Sequence, residues 1–198
     1  MTEHEAADWL EATLPKPQRL SQRELPVWLG AQARKIGPKG WCADVGVWCG
    51  QTALAMALGG PTVAAVDTFM ASDSQTGRNA LELVEKDLQG TLRIFLDNIA
   101  KAPEPVRILP IVGRSVDVAG AFGHDLFDLV FIDADHSLQE VIGDLLAWSL
   151  ALKPGGMLCG HDFQQPAVRR SVESFVKGYG WADLETGPDQ LWWTRKPI

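Results

Sequence analysis

The chain has 198 residues, a length that suits one domain with one sizeable core, and its 46% hydrophobic and 22% charged residues are ordinary for a globular protein. Asp and Glu outnumber Lys and Arg by 25 to 18, for a net charge of −7; this disfavours a polynucleotide partner, because nucleic-acid binders present a basic face to phosphates. The segment MTEHEAADWLEATLP lacks the basic start and apolar run of a signal peptide, and no apolar run reaches the length of a membrane span, so a cytoplasmic protein with no membrane partner is expected.

The first 35 residues look helical. One helix ends at Pro15-Lys16-Pro17. A second is expected over residues 21–35, with Ser21 as N-cap and Glu24 completing a capping box. After the turn Gly37-Pro38-Lys39-Gly40 the pattern alternates. Trp41–Val45 reads as a short apolar strand, Gln51–Leu58 as a helix and residues 62–66 as a second strand. Residues 71–90 are polar and form a long excursion, in which Asp73, Arg78 and Asn79 suit a lid over a binding rim. A helix over 91–100 and strands over 106–112 and 126–132 follow. In the helix over 138–152, Val141, Leu145, Trp148 and Leu152 make one apolar stripe. Lys153-Pro154-Gly155-Gly156 stops it. A fifth strand (157–160), a helix (167–177) and two strands (181–185 and 191–195) joined around Gly187-Pro188-Asp189 complete the chain.

Strand–helix alternation predicts an α/β fold: a Rossmann-like, doubly wound, mostly parallel seven-stranded sheet with a C-terminal antiparallel hairpin. Residues 1–36 are expected to be a helical segment packed on the domain formed by 37–198, a single domain overall. Such sheets bind ligands at the carboxyl ends of their strands. The three cysteines, Cys42, Cys49 and Cys159, form no C-x-x-C pair and read as reduced core thiols. Most of the eight tryptophans read as core and helix contacts; Trp48 is set apart by its place in the first motif.

That motif is Asp44-Val45-Gly46-Val47-Trp48-Cys49-Gly50, a strand-to-helix turn whose glycines let backbone approach a ligand. Against the dinucleotide fingerprint G-x-G-x-x-G, Trp48 replaces the second glycine and Gln51 the third, which blocks a pyrophosphate. Asp44 can instead receive an ammonium group or a water. Asp67, at the end of the second strand, can accept both hydrogen bonds of a ribose diol. Asp133-Ala134-Asp135-His136 and His161-Asp162 each follow a strand. If those strands are neighbours, both clusters meet at one rim and can hold a hard cation. The alternative for Asp135 is a cap on the next helix, and for His136 a solvated loop position. Arg169 and Arg170 read as a solvated face, and His4 and His124 show no partner.

In order along the chain stand D-x-G-x-x-x-G, V-D-T-F, G-R-S-x-D-V-A, F-D-L-V-F-I-D-A-D-H and L-K-P-G-G. Across residues 40–163 this series resembles class I S-adenosylmethionine (SAM)-dependent methyltransferases. It is most similar to the small bacterial group of macrolide and aminocoumarin sugar O-methyltransferases, with cephalosporin hydroxylase-like proteins sharing the style. The resemblance implies that Asp44, Gly46 and Gly50 cradle the methionine part of SAM, that Asp67 holds the ribose, and that Phe69 or Ser115 contacts adenine. Val47, Thr68, Gly113 and Asp133 complete the implied cofactor set. By analogy with metal-dependent relatives, Asp133, His161 and Asp162 would hold magnesium or another divalent cation, with Asp133 also catalytic and His136 as the base. The later pair departs from those relatives in beginning with a histidine.

The function so implied is a SAM-dependent methyltransferase acting on a hydroxyl of a small molecule such as a sugar, natural product or phenol. A metal-dependent hydroxylase or hydrolase, or a non-catalytic module of the same fold, are the alternatives. The Trp192-Trp193 hairpin and the N-terminal helices offer a homodimer face.

Overall fold

The computed structural model describes residues 1–70, 88–181 and 183–198. Most of the 71–90 excursion, with Asp73, Arg78 and Asn79, lies outside them.

Helix α1 (Glu3–Thr13) opens on a capping box in which Thr2 accepts from Glu5 N and the Glu5 carboxylate accepts from Thr2 N. A 3₁₀ turn (Lys16–Gln18) leads to α2 (Glu24–Ile36). The capping box expected at Ser21 does not form: Arg23 is the N-cap residue, without a side-chain cap, and the Ser21 hydroxyl donates instead to Gln51 Oε1 at 2.8 Å. A tertiary partner thirty residues away replaces the local one.

The alternating part follows as β1 (Trp41–Val45), α3 (Gln51–Leu58), β2 (Thr62–Asp67), α4 (Leu88–Ala100), β3 (Ile108–Val112), α5 (Ser115–Ala121), β4 (Phe127–Ile132), α6 (Leu138–Ala151), β5 (Leu152–Gly160), α7 (Pro166–Tyr179), β6 (Glu185–Thr186) and β7 (Trp192–Arg195). The strands form one seven-stranded sheet in the order β3-β2-β1-β4-β5-β7-β6. The first five are parallel, and β7 runs antiparallel to both β5 and β6. This is the expected Rossmann-like sheet with its closing hairpin.

Two differences have physical causes. Lys153-Pro154-Gly155-Gly156 stops α6 yet belongs to β5: a register irregularity opposite Phe127 and Leu129 absorbs the extra residues, so Phe127 pairs with Leu152 and Leu129 with Met157. The G-R-S-x-D-V-A motif, given no element in the sequence reading, winds into α5.

The sheet is covered on both faces, and the pleat sorts its side chains. Val130 and Ile132 of β4 face Val141, Leu145 and Trp148 of α6 and Val168, Val172 and Phe175 of α7. Leu129 and Phe131 point the other way, toward Leu25 and Leu29 of α2, Met56 of α3 and Phe95 of α4. Leu10 and Leu14 bring α1 against Leu54 and Ala55 of α3. The parallel strands therefore end side by side at one rim. Among the described residues no helix is long and apolar enough to cross a membrane.

Candidate functional site

The topological switch point lies between β1 and β4, the central pair whose connections lead to opposite edges of the sheet. Three carboxylates come from the ends of β1, β2 and β4: Asp44, Asp67 and Asp133.

Asp44 is fully buried. Thr52 donates to its Oδ2 at 2.8 Å, whereas Oδ1 has no hydrogen-bond partner. Burial holds this carboxyl well above the usual range, against the Thr52 bond and with help from the charges of Asp133 and Asp67. A buried acceptor left unpaired costs about 1–3 kcal/mol. It is the atom that a ligand ammonium or N–H would satisfy.

The turn after Asp44 is shaped by its glycines. Gly46 has φ +89°, and a Cβ there would lie 2.1 Å from the carbonyl oxygen of Asp133. Gly50 has φ +93° and would drive a Cβ into the Phe95 ring at 2.7 Å. Both positions demand glycine because the protein's own atoms come so close. Trp48 between them also adopts positive φ, 52°. Asp67 stabilises this turn: its Oδ2 accepts from Trp48 N at 2.9 Å and its Oδ1 from Phe69 N at 2.7 Å. One carboxylate thus joins the loops after β1 and β2. Burial nonetheless raises the pKa of this carboxyl above its ordinary value, with the backbone donors pulling the other way.

Two residues expected at the adenine are committed elsewhere. The Ser115 hydroxyl donates to Asp144 Oδ1 at 2.5 Å and accepts from Trp148 Nε1 at 2.7 Å. The Phe69 ring is 5% exposed and packs on Phe95, with ring centroids 5.4 Å apart. Their backbones remain at the rim, as do Gly113 and Thr68, whose hydroxyl engages Met70 locally. The Val47 side chain lies in the core.

The polar clusters after β4 and β5 do meet. His136 Nε2 lies 2.7 Å from Asp162 Oδ2 and 3.7 Å from Asp133 Oδ1. His161 Nδ1 lies 3.5 Å from Asp162 Oδ2 and 3.9 Å from Asp133 Oδ2. Among the described residues the candidate metal donors that lie together are Asp133, His136 and Asp162; His161, expected in that set, stands outside this group, with Nδ1 facing both carboxylates. His136 Nε2 is buried and lacks a hydrogen bond of proper direction, so its contacts are those of charge and proximity. Asp133 and then Asp162 lift His136 to about 10, against the effect of burial. Burial opposes the charged form of His161 too, but Asp162, Asp133 and Asp189 lift it to about 9. Burial acts to raise Asp162, and the two imidazoles override it and hold its carboxyl far below the carboxylate range.

Asp135 is not the N-cap of α6. Its Oδ1 accepts from Ser137 N at 2.7 Å, and Ser137 is the N-cap of α6. The residue absent from the sequence reading is Asp189, which the closing hairpin places 3.6 Å from His161 Nε2. Its turn position, after Gly187-Pro188, had accounted for it. The three thiols are buried and free, and burial pushes all of them up, Cys49 to about 12, which leaves them inert.

This arrangement, a glycine turn over a buried carboxylate beside a His/Asp cluster, lies in the part of the chain for which a family is found: residues 43–163 match the family described as Methyltransferase domain. The chain belongs to that family. The match spans the strand ends from β1 to the segment after β5, and therefore every candidate-site residue described above except Asp189. No curated sequence matches the chain. Among solved structures, that of cofactor-bound Rv0187 from MTB is similar over 96% of this methyltransferase-family chain and 86% of its own, with a TM-score of 0.66 at 18% identity. The O-methyltransferase NovP aligns over 87% of this chain and 81% of its own, with a TM-score of 0.61 at 16% identity. The O-methyltransferase from Bacillus cereus in complex with SAH aligns over 98% and 90%, with a TM-score of 0.57 at 15% identity. At these identities the likeness speaks for the fold, the Rossmann-like class I methyltransferase sheet.

Proposed function

We propose that the protein is a SAM-dependent O-methyltransferase acting on a hydroxyl of a small molecule, assisted by a divalent cation. The observation that carries this reading is the contact between Gly46 and the Asp133 carbonyl. It makes the cofactor turn and the polar cluster two walls of one site. The hydroxylase-like alternative requires no such turn, and a non-catalytic module requires no such cluster.

The residues fit both bound groups. The unpaired Asp44 Oδ1 suits the ammonium of SAM, and Asp67, whose oxygens accept from Trp48 N and Phe69 N, has acceptor capacity beyond those bonds for the ribose hydroxyls. SAM supplies an electrophilic methyl on sulfur. Two carboxylates and an imidazole nitrogen, Asp133, Asp162 and His161, suit magnesium or manganese. Such a cation supplies Lewis acidity to a substrate oxygen. With Asp133 and Asp162 neutralised by a cation, His136 would lose the charge that holds its proton, and the imidazole would then be free to receive the hydroxyl proton. The protein's remaining contribution is alignment of the two substrates. The net charge of −7 points to a small uncharged or cationic acceptor rather than nucleic acid.

Calorimetry with S-adenosylhomocysteine tests the cofactor half: wild type binds, and Asp44→Asn weakens binding by about tenfold or more, the scale of one hydrogen bond to a charged group. Absence of binding to the wild type overturns the proposal. Transfer of labelled methyl to a panel of hydroxylated compounds, with and without EDTA, tests the other half: transfer that EDTA leaves unchanged overturns cation assistance.

A further inference from the structure

The closing hairpin grips the segment that follows β5 at several points. Trp192 Nε1 donates to the His161 carbonyl at 3.1 Å, Phe163 N donates to the Gln190 carbonyl at 3.0 Å, and the Trp192 ring packs on Gly160. Within this frame Asp189 and Gln190 both adopt the left-handed region, with φ 52° and 58°. Two consecutive non-glycine residues in that region cost conformational energy. The result is that the Asp189 carboxylate turns inward: its side chain is 5% exposed, although hairpin tips ordinarily face solvent. Its Oδ2 accepts from Gln22 N at 2.7 Å and stands 3.6 Å from His161 Nε2. That nitrogen is buried and makes no hydrogen bond, and the Asp189 carboxylate is the charged group it faces. The opposite ring nitrogen, Nδ1, faces Asp133 and Asp162.

We propose that Asp189 is a positioning residue that orients His161, holding Nε2 toward the hairpin so that Nδ1 presents its lone pair to the cation pocket between Asp133 and Asp162. This rests on the cation-assisted reading given above. A histidine that ligates through one nitrogen needs its other N–H directed at an acceptor, which sets the ring's tautomer and rotation and strengthens the ligating nitrogen. Asp189 is the carboxylate facing that nitrogen. The hydrogen bond from Gln22 N fixes where the carboxylate sits, so the segment before α2 takes part in aiming a side chain that follows β5.

The test is calorimetric titration of the whole protein with Mn²⁺ alone, for wild type and Asp189→Asn. Asparagine tolerates left-handed backbone and still accepts from Gln22 N, so the hairpin keeps its shape while the charge facing His161 is lost. Mn²⁺ affinity is expected to fall by about 10–100-fold, with the melting temperature and S-adenosylhomocysteine affinity unchanged. Equal Mn²⁺ affinity in wild type and Asp189→Asn overturns the proposal and leaves the cation reading standing. A wild type that binds no Mn²⁺ overturns both. A melting temperature that falls in parallel with affinity assigns Asp189 to hairpin stability alone and also overturns the proposal; His161→Gln, which removes the ligand but not the hairpin contacts, should then lose Mn²⁺ without losing stability.

Discussion

Asp144 lies in the middle of α6, 2% exposed, and its one side-chain hydrogen bond shown is from the Ser115 hydroxyl. Burial, opposed by that bond and aided by the negative charges of Glu140 and Asp135, lifts its carboxyl from 3.8 to about 6. At ~1.4 kcal/mol per pKa unit, the gap of about 2 means that ionising Asp144 inside the fold costs ~3 kcal/mol more than in the unfolded chain. The sign is that of a raised acid. The stability it contributes is fully present below about pH 4, where both states are protonated, and is lost as pH rises through 6. Asp144→Asn keeps an acceptor for Ser115 and removes the charge. Urea unfolding followed by tryptophan fluorescence at pH 4 and pH 8 reads the effect; Trp148, bonded to the same hydroxyl, lies beside it. Between those pH values the variant should gain ~2–3 kcal/mol of stability relative to wild type. A gap that stays constant with pH, or one that moves in favour of wild type at pH 8, refutes the reasoning.

His136→Ala should lower turnover by roughly 10²–10⁴ while S-adenosylhomocysteine binds as before; single-turnover rates beside calorimetry check this, and undiminished turnover removes His136 from the chemistry. Gly46→Ala forces a Cβ to 2.1 Å from a backbone oxygen at φ +89°, so it should cost ~3 kcal/mol or more. Thermal unfolding of the variant within a degree or two of wild type contradicts that geometry.

The layered sheet was legible because its evidence is periodic. β4 is apolar on both faces, and its alternate residues do go to opposite layers. The α6 stripe Val141, Leu145 and Trp148 is buried as the spacing demands, with Leu152 opening the next strand instead of ending the helix. The site was legible to the extent that it consists of strand ends, since the rule for parallel sheets names those positions before any contact is known. What escaped depends on tertiary partners. Ser21 has the sequence of a cap but finds Gln51. Ser115 has the position of an adenine contact but finds Asp144 and Trp148. Asp189 follows Gly187-Pro188, a context in which aspartate needs no explanation beyond the turn itself, and only the docking of the hairpin brings it to His161.

The hydrogen bond from Gln22 N to Asp189 joins positions 167 residues apart. Contacts of that span are slow to find, because a long loop must close before they contribute. The glycine turn and its Asp67 brace, spanning 19 residues, form over a short separation. The longer contact belongs to a hairpin whose β6 is two exposed residues long, yet Leu191 and Trp192 are buried in the core and anchor it. Loss of that anchor would withdraw Asp189 from His161 while Asp133 and Asp162, at the ends of the parallel strands, and the turn after β1 stayed in place. Core packing at one edge of the sheet is therefore also what keeps a carboxylate against the site.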